Sequence, residues 1–225
     1  MHEKRVEGIV LKAIPFKESD RILSIFTPDR GIISLFVKRI SKSRPAMVNL
    51  TTPLCRAEFV FRKGRSDLYR FIDGSILDLH LNLRQSYKHL EYGAKMLGAI
   101  STSQMPGKAA PSLYLLLLTY LKQLATFPDL PTLWASFQLK LLKHEGLLAL
   151  EKSCSVCGKE ALRIVEGESR CTECVDNLSF PFSKKEWEHL LLLFHAKQFD
   201  TFKHLSLDPV LIKGIDALYM SRLAS

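Results

Sequence analysis

Four of the five cysteines form two Cys-x-x-Cys pairs, Cys154 with Cys157 and Cys171 with Cys174, separated by thirteen residues. Each pair can fold into a small knuckle that directs two thiolates at a common centre. Two knuckles joined by a short hairpin supply the tetrahedral four-sulfur set that zinc favours. Because four protein ligands leave no coordination position for water, the spacing predicts one structural zinc ion and no metal-based catalysis. A redox-active dithiol or an unmetallated pair is the alternative interpretation.

The other residues that could do chemistry favour structural roles. Cys55 lies in a strand-like segment and is interpreted as a small buried apolar residue. Glu18 and Asp20 are close enough for acid–base work, but their setting between two strands favours turn and salt-bridge roles. His189 and His195 are six residues apart and do not share a helix face, which favours helix surface over metal ligation. The sequence shows neither a phosphate-binding glycine loop nor a Gly-x-Ser-x-Gly motif.

Positive charge is concentrated in one stretch of the chain. The formal net charge is +9, and eight Lys or Arg face the single acid Glu58 between residues 38 and 65. A local excess of this kind attracts polyanions, with nucleic acid the first candidate and an anionic membrane surface the second. The predicted phosphate contacts are Lys38, Arg39, Lys42, Arg44, Arg62, Lys63 and Arg65. A solvated charged loop is the alternative.

Aromatic side chains near these cations could stack on nucleic-acid bases. At alternate strand positions of a small barrel, however, most aromatic residues fill the interior, so core positions are favoured for Phe36, Phe59, Phe61, Tyr69 and Phe71. Tyr69 is retained as a candidate base contact because it lies close to the basic turn.

Residues 1 to 80 alternate between apolar and polar positions in short segments separated by turn residues. This pattern predicts an N-terminal five-stranded OB-type β-barrel. Because the barrel contains the basic stretch, we expect it to be the nucleic-acid-binding domain. The predicted strands are Val6 to Ile14, Ile22 to Thr27, Ile32 to Lys38, Leu54 to Arg62 and Leu68 to Leu77.

Residues 81 to 225 change to helical periodicity, interrupted by the cysteine insert at 153 to 176. The predicted helices are Tyr87 to Ser101, Pro111 to Phe127, Pro131 to His144, one opened by the capping-box sequence Ser183 to Glu186 and one opened by Asp208-Pro209. The segment 104 to 110 is expected to be a flexible link. The predicted class is therefore α+β: the barrel domain, then a helical domain with a zinc-knuckle insert.

The chain does not open like a secreted protein, because Met1 to Arg5 leads into an alternating segment rather than an apolar region. The most apolar run, Leu113 to Leu118, falls well short of the ~20 residues that a spanning helix needs. We therefore expect a cytoplasmic, nucleoid-associated protein with no membrane partner.

Two segments resemble the bacterial recombination mediator RecO family. The first runs from Glu7 to Ile33, including Phe16-Lys17-Glu18-Ser19-Asp20-Arg21-Ile22-Leu23 and Gly31-Ile32-Ile33. The second, Phe137 to Leu142 followed by Gly146, Cys154 and Cys157, is similar to that family's helix leading into its zinc knuckle. The order of domains in the family matches the order deduced from the residues.

The resemblance implies a non-catalytic function in DNA repair of the RecF-pathway type. It implies binding of single- and double-stranded DNA, annealing of complementary strands, and help in loading RecA onto DNA coated by single-strand-binding protein. The implied partners are RecR, the acidic C-terminal tail of single-strand-binding protein, RecA indirectly, and RecF in some lineages. The cations available for an acidic tail are Lys122, Lys140, Lys143 and Arg84.

Two departures from the family pattern concern loops. The family often has glycine directly after the lysine that closes the third strand, where this chain has Arg39. A glycine-rich turn commonly precedes the second knuckle, and Glu166 to Arg170 retains one glycine.

Two other functional classes remain open. A nucleic-acid-modifying enzyme would use the carboxylates as catalysts and would depend on Asp20. A protein-binding scaffold would use its positive charge to receive acidic peptides.

Overall fold

The computed structural model describes residues 3–41, 43–64, 68–175 and 182–223. Two of the predicted phosphate contacts, Lys42 and Arg65, lie outside the described residues. The chain separates into two compact units, Met1–Ala125 and Thr126–Ser225.

The first unit contains a closed barrel of five strands in the order β1-β2-β3-β5-β4, in which β4 pairs back onto β1. Neighbouring strands are antiparallel except β3 and β5, which run parallel. This arrangement confirms the predicted five-stranded OB-type barrel, and each predicted strand overlaps an observed one. The strands are β1 (Lys4–Phe16), β2 (Asp20–Thr27), β3 (Gly31–Val37), β4 (Arg56–Arg62) and β5 (Leu68–Asp78).

Alternation of side chains explains why these segments form a barrel. In β3 every second residue is buried, and in β4 the inward positions Ala57, Phe59 and Phe61 are fully buried. The intervening residues face outward, because successive side chains of a strand point to opposite faces. The barrel interior is therefore filled by apolar side chains and leaves its outer face available for other contacts.

The long connection between β3 and β4 contains a short helix that the sequence did not reveal. This helix, α1, spans Pro45–Leu50, with proline in its first turn. Leu50 is buried in the barrel core, and Thr51 donates a side-chain hydrogen bond to the carbonyl of Met47. Six residues are too few to show a helical period, so burial against the barrel, rather than local pattern, marks this helix.

Two longer helices, α2 (Tyr87–Ser103) and α3 (Pro111–Leu124), belong to the same compact unit as the barrel. A 3-10 helix, Leu81–Gln85, precedes them. The last barrel strand thus ends at Asp78, close to the predicted boundary at residue 80, whereas the division between compact units falls at residue 125.

Residues 104–110, expected to be a flexible link, are instead hydrogen-bonded to the barrel. Gly107 N–H donates to the carbonyl of Ile32 (3.1 Å), and Pro106 forms bridges with β3. The backbone pairs here because β5 covers only the later part of β3, at Ser34 to Phe36. Unpaired strand edges favour such pairing.

The second unit contains three α-helices, one 3-10 helix (Phe199–Thr201) and a two-stranded ribbon among its described residues. The α-helices and strands are α4 (Leu130–His144), β6 (Arg163–Val165), β7 (Glu168–Arg170), α5 (Lys184–His195) and α6 (Pro209–Leu223). Helix α4 is buried along most of its length and contacts both α5 and α6. The predicted capping box is confirmed: Ser183 Oγ accepts from Glu186 N–H, and Glu186 Oε2 accepts from Ser183 N–H. Among the described residues, no helix combines the length and the apolar character needed to cross a membrane.

Candidate metal centre and nucleic-acid interface

The four cysteines of the two Cys-x-x-Cys pairs converge on one point. Their Sγ atoms all lie within 4.8 Å of one another. Local backbone geometry produces the first knuckle, in which Gly158 N–H donates to the carbonyl of Cys154 (3.0 Å) and Gly158 adopts a φ of 76°. The ribbon β6–β7 brings the second pair back to the first. The chain therefore assembles a four-sulfur site of the kind predicted.

Hydrogen bonds within the four-cysteine cluster shift the pKa values of Cys154 and Cys174 in opposite directions. Burial raises the pKa of Cys154, but backbone hydrogen bonds from Cys157 and Val156 outweigh burial and lower it to about 6. Hydrogen bonds to Cys157 and Cys171 raise the pKa of Cys174 to about 12. The pKa of Cys154 therefore lies below the ordinary value for a thiol, and that of Cys174 lies above it. A divalent cation would let all four ionise, and four thiolates in tetrahedral arrangement fit zinc.

The remaining candidates for chemistry occupy structural positions. Cys55 is fully buried in the barrel core, and burial raises its pKa to about 11, which confirms its interpretation as an apolar core residue. His195 is exposed and donates from Nε2 to the carbonyl of Leu150 (2.8 Å). Asp20 Oδ1 accepts a hydrogen bond from Arg39 N–H (3.1 Å), so this carboxylate fixes the loop after β3.

The described members of the predicted phosphate set lie near the ends of β3 and β4. Lys38 and Arg39 directly follow β3 and are exposed, Arg62 ends β4 with an outward-facing side chain, and Lys63 is exposed after it. Arg44 precedes α1 and is also exposed. The strand register determines whether the cations that follow β3 lie beside those at the end of β4.

Strand β5 connects these two groups of cations. Arg70 pairs with Phe36 of β3 on one side and with Arg62 of β4 on the other. Its neighbours Tyr69 and Phe71 pack on the barrel core, so Arg70 points outward, and it is exposed. The outer face therefore carries Arg62, Arg70 and the end of β3 side by side. Sequence reasoning missed Arg70, although strand alternation in β5 was the signal that could have revealed it.

Two aromatic residues also lie on this outer face. Phe16 is 42% exposed at the end of β1, and its ring makes an edge contact with Phe36 (centroids 5.6 Å apart). Lys17 Nζ lies 5.8 Å from the Phe16 ring centre, and Lys38 Nζ lies 5.5 Å from the Phe36 ring centre. The core prediction for Phe36 is wrong: Phe36 is half-buried between the inward-facing Leu35 and Val37 and faces outward. The pairing of Phe16 with Phe36 depends on strand register, which the sequence does not display.

Tyr69 and the other barrel aromatics lie further inward. Phe59 and Phe61 are fully buried, as predicted. Tyr69 and Phe71 are half-buried and pack against the core, and the Tyr69 ring lies 4.9 Å from that of Phe61. The Tyr69 ring is therefore only partly accessible for stacking on a nucleic-acid base.

Two family models match the chain in tandem. The model described as Recombination protein O N terminal matches residues 1–80, and Recombination protein O C terminal matches residues 84–219. Curated relatives named DNA repair protein RecO include one from Chlamydia pneumoniae, 27% identical, with the alignment covering 92% of this chain and 83% of the relative. The relative from Moorella thermoacetica is 29% identical (92% and 80%), and that from Chlamydia muridarum is 29% identical (95% and 93%). With matches across both units, the chain belongs to the RecO family of DNA repair proteins.

Proposed function

We propose that this protein is a non-catalytic recombination mediator that binds single- and double-stranded DNA through the outer face of its barrel. It anneals complementary strands and helps to load RecA onto DNA coated by single-strand-binding protein. RecR and the acidic tail of single-strand-binding protein are its proposed partners, with RecF a further one, and it acts in the cytoplasm on the nucleoid.

The observation that carries this proposal is the juxtaposition of cations from the ends of β3 and β4 and the start of β5 on one outer face of the barrel. Phe36 pairs with Arg70, and Arg70 pairs with Arg62, so cations from three separate segments share one surface with Lys38 and Arg39 at its edge. Phosphate groups are held by such rows of Lys and Arg, which release condensed counterions on binding. Arg44 and Lys63 extend the proposed contacts beyond the strands.

The metal centre supports a structural role for zinc. Cys154, Cys157, Cys171 and Cys174 would hold the ion, and a complete set of protein ligands leaves no position at which to activate water. What a bound zinc ion supplies here is folding free energy for the knuckle and ribbon. Because all four ligands come from the protein, a zinc ion bound here would have a complete coordination shell, which supports a non-catalytic role for the metal.

Asp20, the carboxylate on which the enzyme alternative depends, has a structural role. Asp20 accepts a backbone hydrogen bond from Arg39, which is the turn role that its sequence setting favours. This contact accounts for the position of Asp20 without a catalytic task, so it gives the enzyme alternative no support.

Cations for an acidic partner tail occur in both units. Lys122 and Lys143 are exposed, whereas Arg84 donates hydrogen bonds to the carbonyls of Leu79 and Pro53. Lys140 is half-buried and donates to the carbonyl of Ala196, so Lys122 and Lys143 are the better candidates.

The test is the binding and annealing of labelled complementary oligonucleotides across a salt series. With about five phosphates engaged on a single strand, affinity falls by about two decades between roughly 50 and 200 mM salt, a slope of about −3.5. Charge reversal of Lys38, Arg39, Arg62 and Lys63 removes binding and annealing together. The matched control reverses four exposed lysines of the second unit, Lys184, Lys185, Lys203 and Lys213, with little effect. Equal losses in both variants, or in neither, contradict a DNA site on the barrel.

A further inference from the structure

The outer face of the barrel is not uniformly cationic, because an apolar strip runs across its centre. Ile14 of β1 pairs with Ile22 of β2, and Ile22 pairs with Phe36 of β3. Phe16 extends the strip at the end of β1, where its ring contacts Phe36. Ile14 and Phe16 are each 42% exposed. Four apolar side chains on adjacent strands thus form a small plateau, the Phe16–Phe36 plateau, that faces solvent.

Cations surround this plateau in a particular way. Lys17 and Lys38 lie over the two aromatic rings, and Arg70 pairs in register with Phe36. The carboxylates nearby are Glu18, exposed at the hairpin tip, and Asp20, which accepts from the backbone of Arg39. The apolar centre therefore has a predominantly positive border. A base that stacks on either ring would displace the flexible lysine side chain over that ring towards the phosphate of the same nucleotide.

This combination suits a ligand with a flat apolar face next to a negative charge. An unpaired nucleotide has both, since its base stacks on an aromatic ring while its phosphate reaches a nearby cation. A base inside a duplex is covered on both faces by its neighbours and offers its phosphates alone. An apolar surface of a partner protein would cover the plateau but would offer no anion to Lys17 and Lys38.

We propose that the Phe16–Phe36 plateau stacks unpaired bases and makes the barrel bind single-stranded DNA in preference to duplex DNA. The inference rests on the proposed DNA-binding function and adds its substrate selectivity. Phosphate contacts position either form of DNA, and the aromatic pair supplies the contact that only an exposed base can make.

The test compares affinities of the full-length protein for oligo(dT) and for a duplex of the same length. Phe16→Ala weakens oligo(dT) binding roughly tenfold, because stacking of one base is lost, and leaves duplex binding within about twofold. Phe16→Tyr retains the ring and restores oligo(dT) affinity. Leu115→Ala, which removes a 63% exposed apolar side chain from α3, is the matched control and changes neither affinity.

A second readout separates stacking from charge. Because Phe16 carries no charge, Phe16→Ala keeps the wild-type salt slope while affinity falls, whereas loss of a lysine contact lowers the slope. Circular dichroism and thermal unfolding verify that the variant is folded.

The remaining outcomes are distinguishable. If Phe16→Ala leaves oligo(dT) binding unchanged, or weakens both forms of DNA equally, the selectivity proposal is overturned while DNA binding by the barrel stands. If the wild-type protein binds neither oligonucleotide, the proposed function fails and this inference fails with it.

Discussion

Among single residues, Arg39 is expected to affect stability and DNA binding in opposite directions. Its φ of 55° lies in the left-handed region, where a side chain costs roughly 1 kcal/mol relative to glycine. Arg39→Gly therefore leaves the free energy of unfolding unchanged or raises it by up to about 1 kcal/mol, while one phosphate contact is lost and the single-strand salt slope falls by about 0.7. Denaturant unfolding and a salt series measure the two effects. A destabilised variant with an unaltered slope would show that Arg39 is structural and not a DNA contact.

A second residue-scale prediction concerns Glu7, which links β1 to β4 and to α3. Glu7 Oε1 accepts from Arg56 Nε (2.8 Å) and from Tyr114 Oη (2.9 Å). The hydrogen bond from Arg56 is the main cause that holds the pKa of Glu7 below its ordinary value of 4.5, against the opposing effect of burial. A depressed folded-state pKa contributes stability above the unfolded value, and this stability is lost as pH falls through the folded value.

The resulting pH dependence can be isolated by substitution. Wild-type protein loses stability as pH falls below about 4.5, and Glu7→Gln lacks that part of the loss because it has no carboxylate to titrate. Urea unfolding at several pH values measures the difference between the two proteins, with Glu3→Gln as an exposed control. Parallel stability curves for wild type and Glu7→Gln would exclude this linkage.

At the scale of elements, Gly31 shows why the segment after α2 must dock on β3. Gly31 has a φ of 59°, and a Cβ built there would lie 2.1 Å from the carbonyl oxygen of Lys108. Gly31→Ala therefore clashes with the backbone of residues 104–110 and costs about 3 kcal/mol. Gly98→Ala is the control, because no heavy atom lies within 4 Å of its added Cβ in α2, and it stabilises by about 0.5 to 1 kcal/mol. Thermal unfolding ranks the variants, and equal melting temperatures would contradict the docking role.

Local pattern predicted most elements but not their contacts. Alternation located all five strands, and proline, capping and helical periodicity located α2 to α6, because each signal lies within a few residues of the element that it marks. Helix α1 was not predicted, because it has only six residues and is stabilised by burial of Leu50 in the barrel core. The cysteine site was predictable because ligand spacing encodes it. Arg70 and the Phe16–Phe36 pair depend on which strands are neighbours, and register is a long-range property.

At the scale of the whole molecule, the four-cysteine cluster and the cationic face that is proposed to bind DNA belong to different compact units. The four cysteines lie in Thr126–Ser225 and the cationic face in Met1–Ala125. Arg222 of α6 donates to the carbonyls of Leu147 and Glu166, which ties the helix to the chain around the ribbon. Loss of metal is therefore expected to loosen α6 as well as the knuckle.

This division gives a prediction for metal removal. Cys171→Ser lowers zinc content from about one ion per chain to near zero and lowers the melting temperature of the second unit, while oligonucleotide affinity changes by less than about threefold. Cys55→Ala is the matched control and retains its zinc, because Cys55 lies in the barrel core. Metal analysis, calorimetry and anisotropy provide the three readouts. Zinc retained by Cys171→Ser would contradict the four-cysteine site.

If DNA lies on the outer face of the barrel, lysine footprinting will detect it there. The protein is acetylated with and without a bound single-stranded oligonucleotide, and modification at each lysine is measured by mass spectrometry. Lys17, Lys38 and Lys63 are predicted to be protected by DNA, whereas Lys184, Lys203 and Lys213, all exposed in the second unit, react equally in both states. Protection confined to the second unit, with the barrel lysines unchanged, would contradict the account.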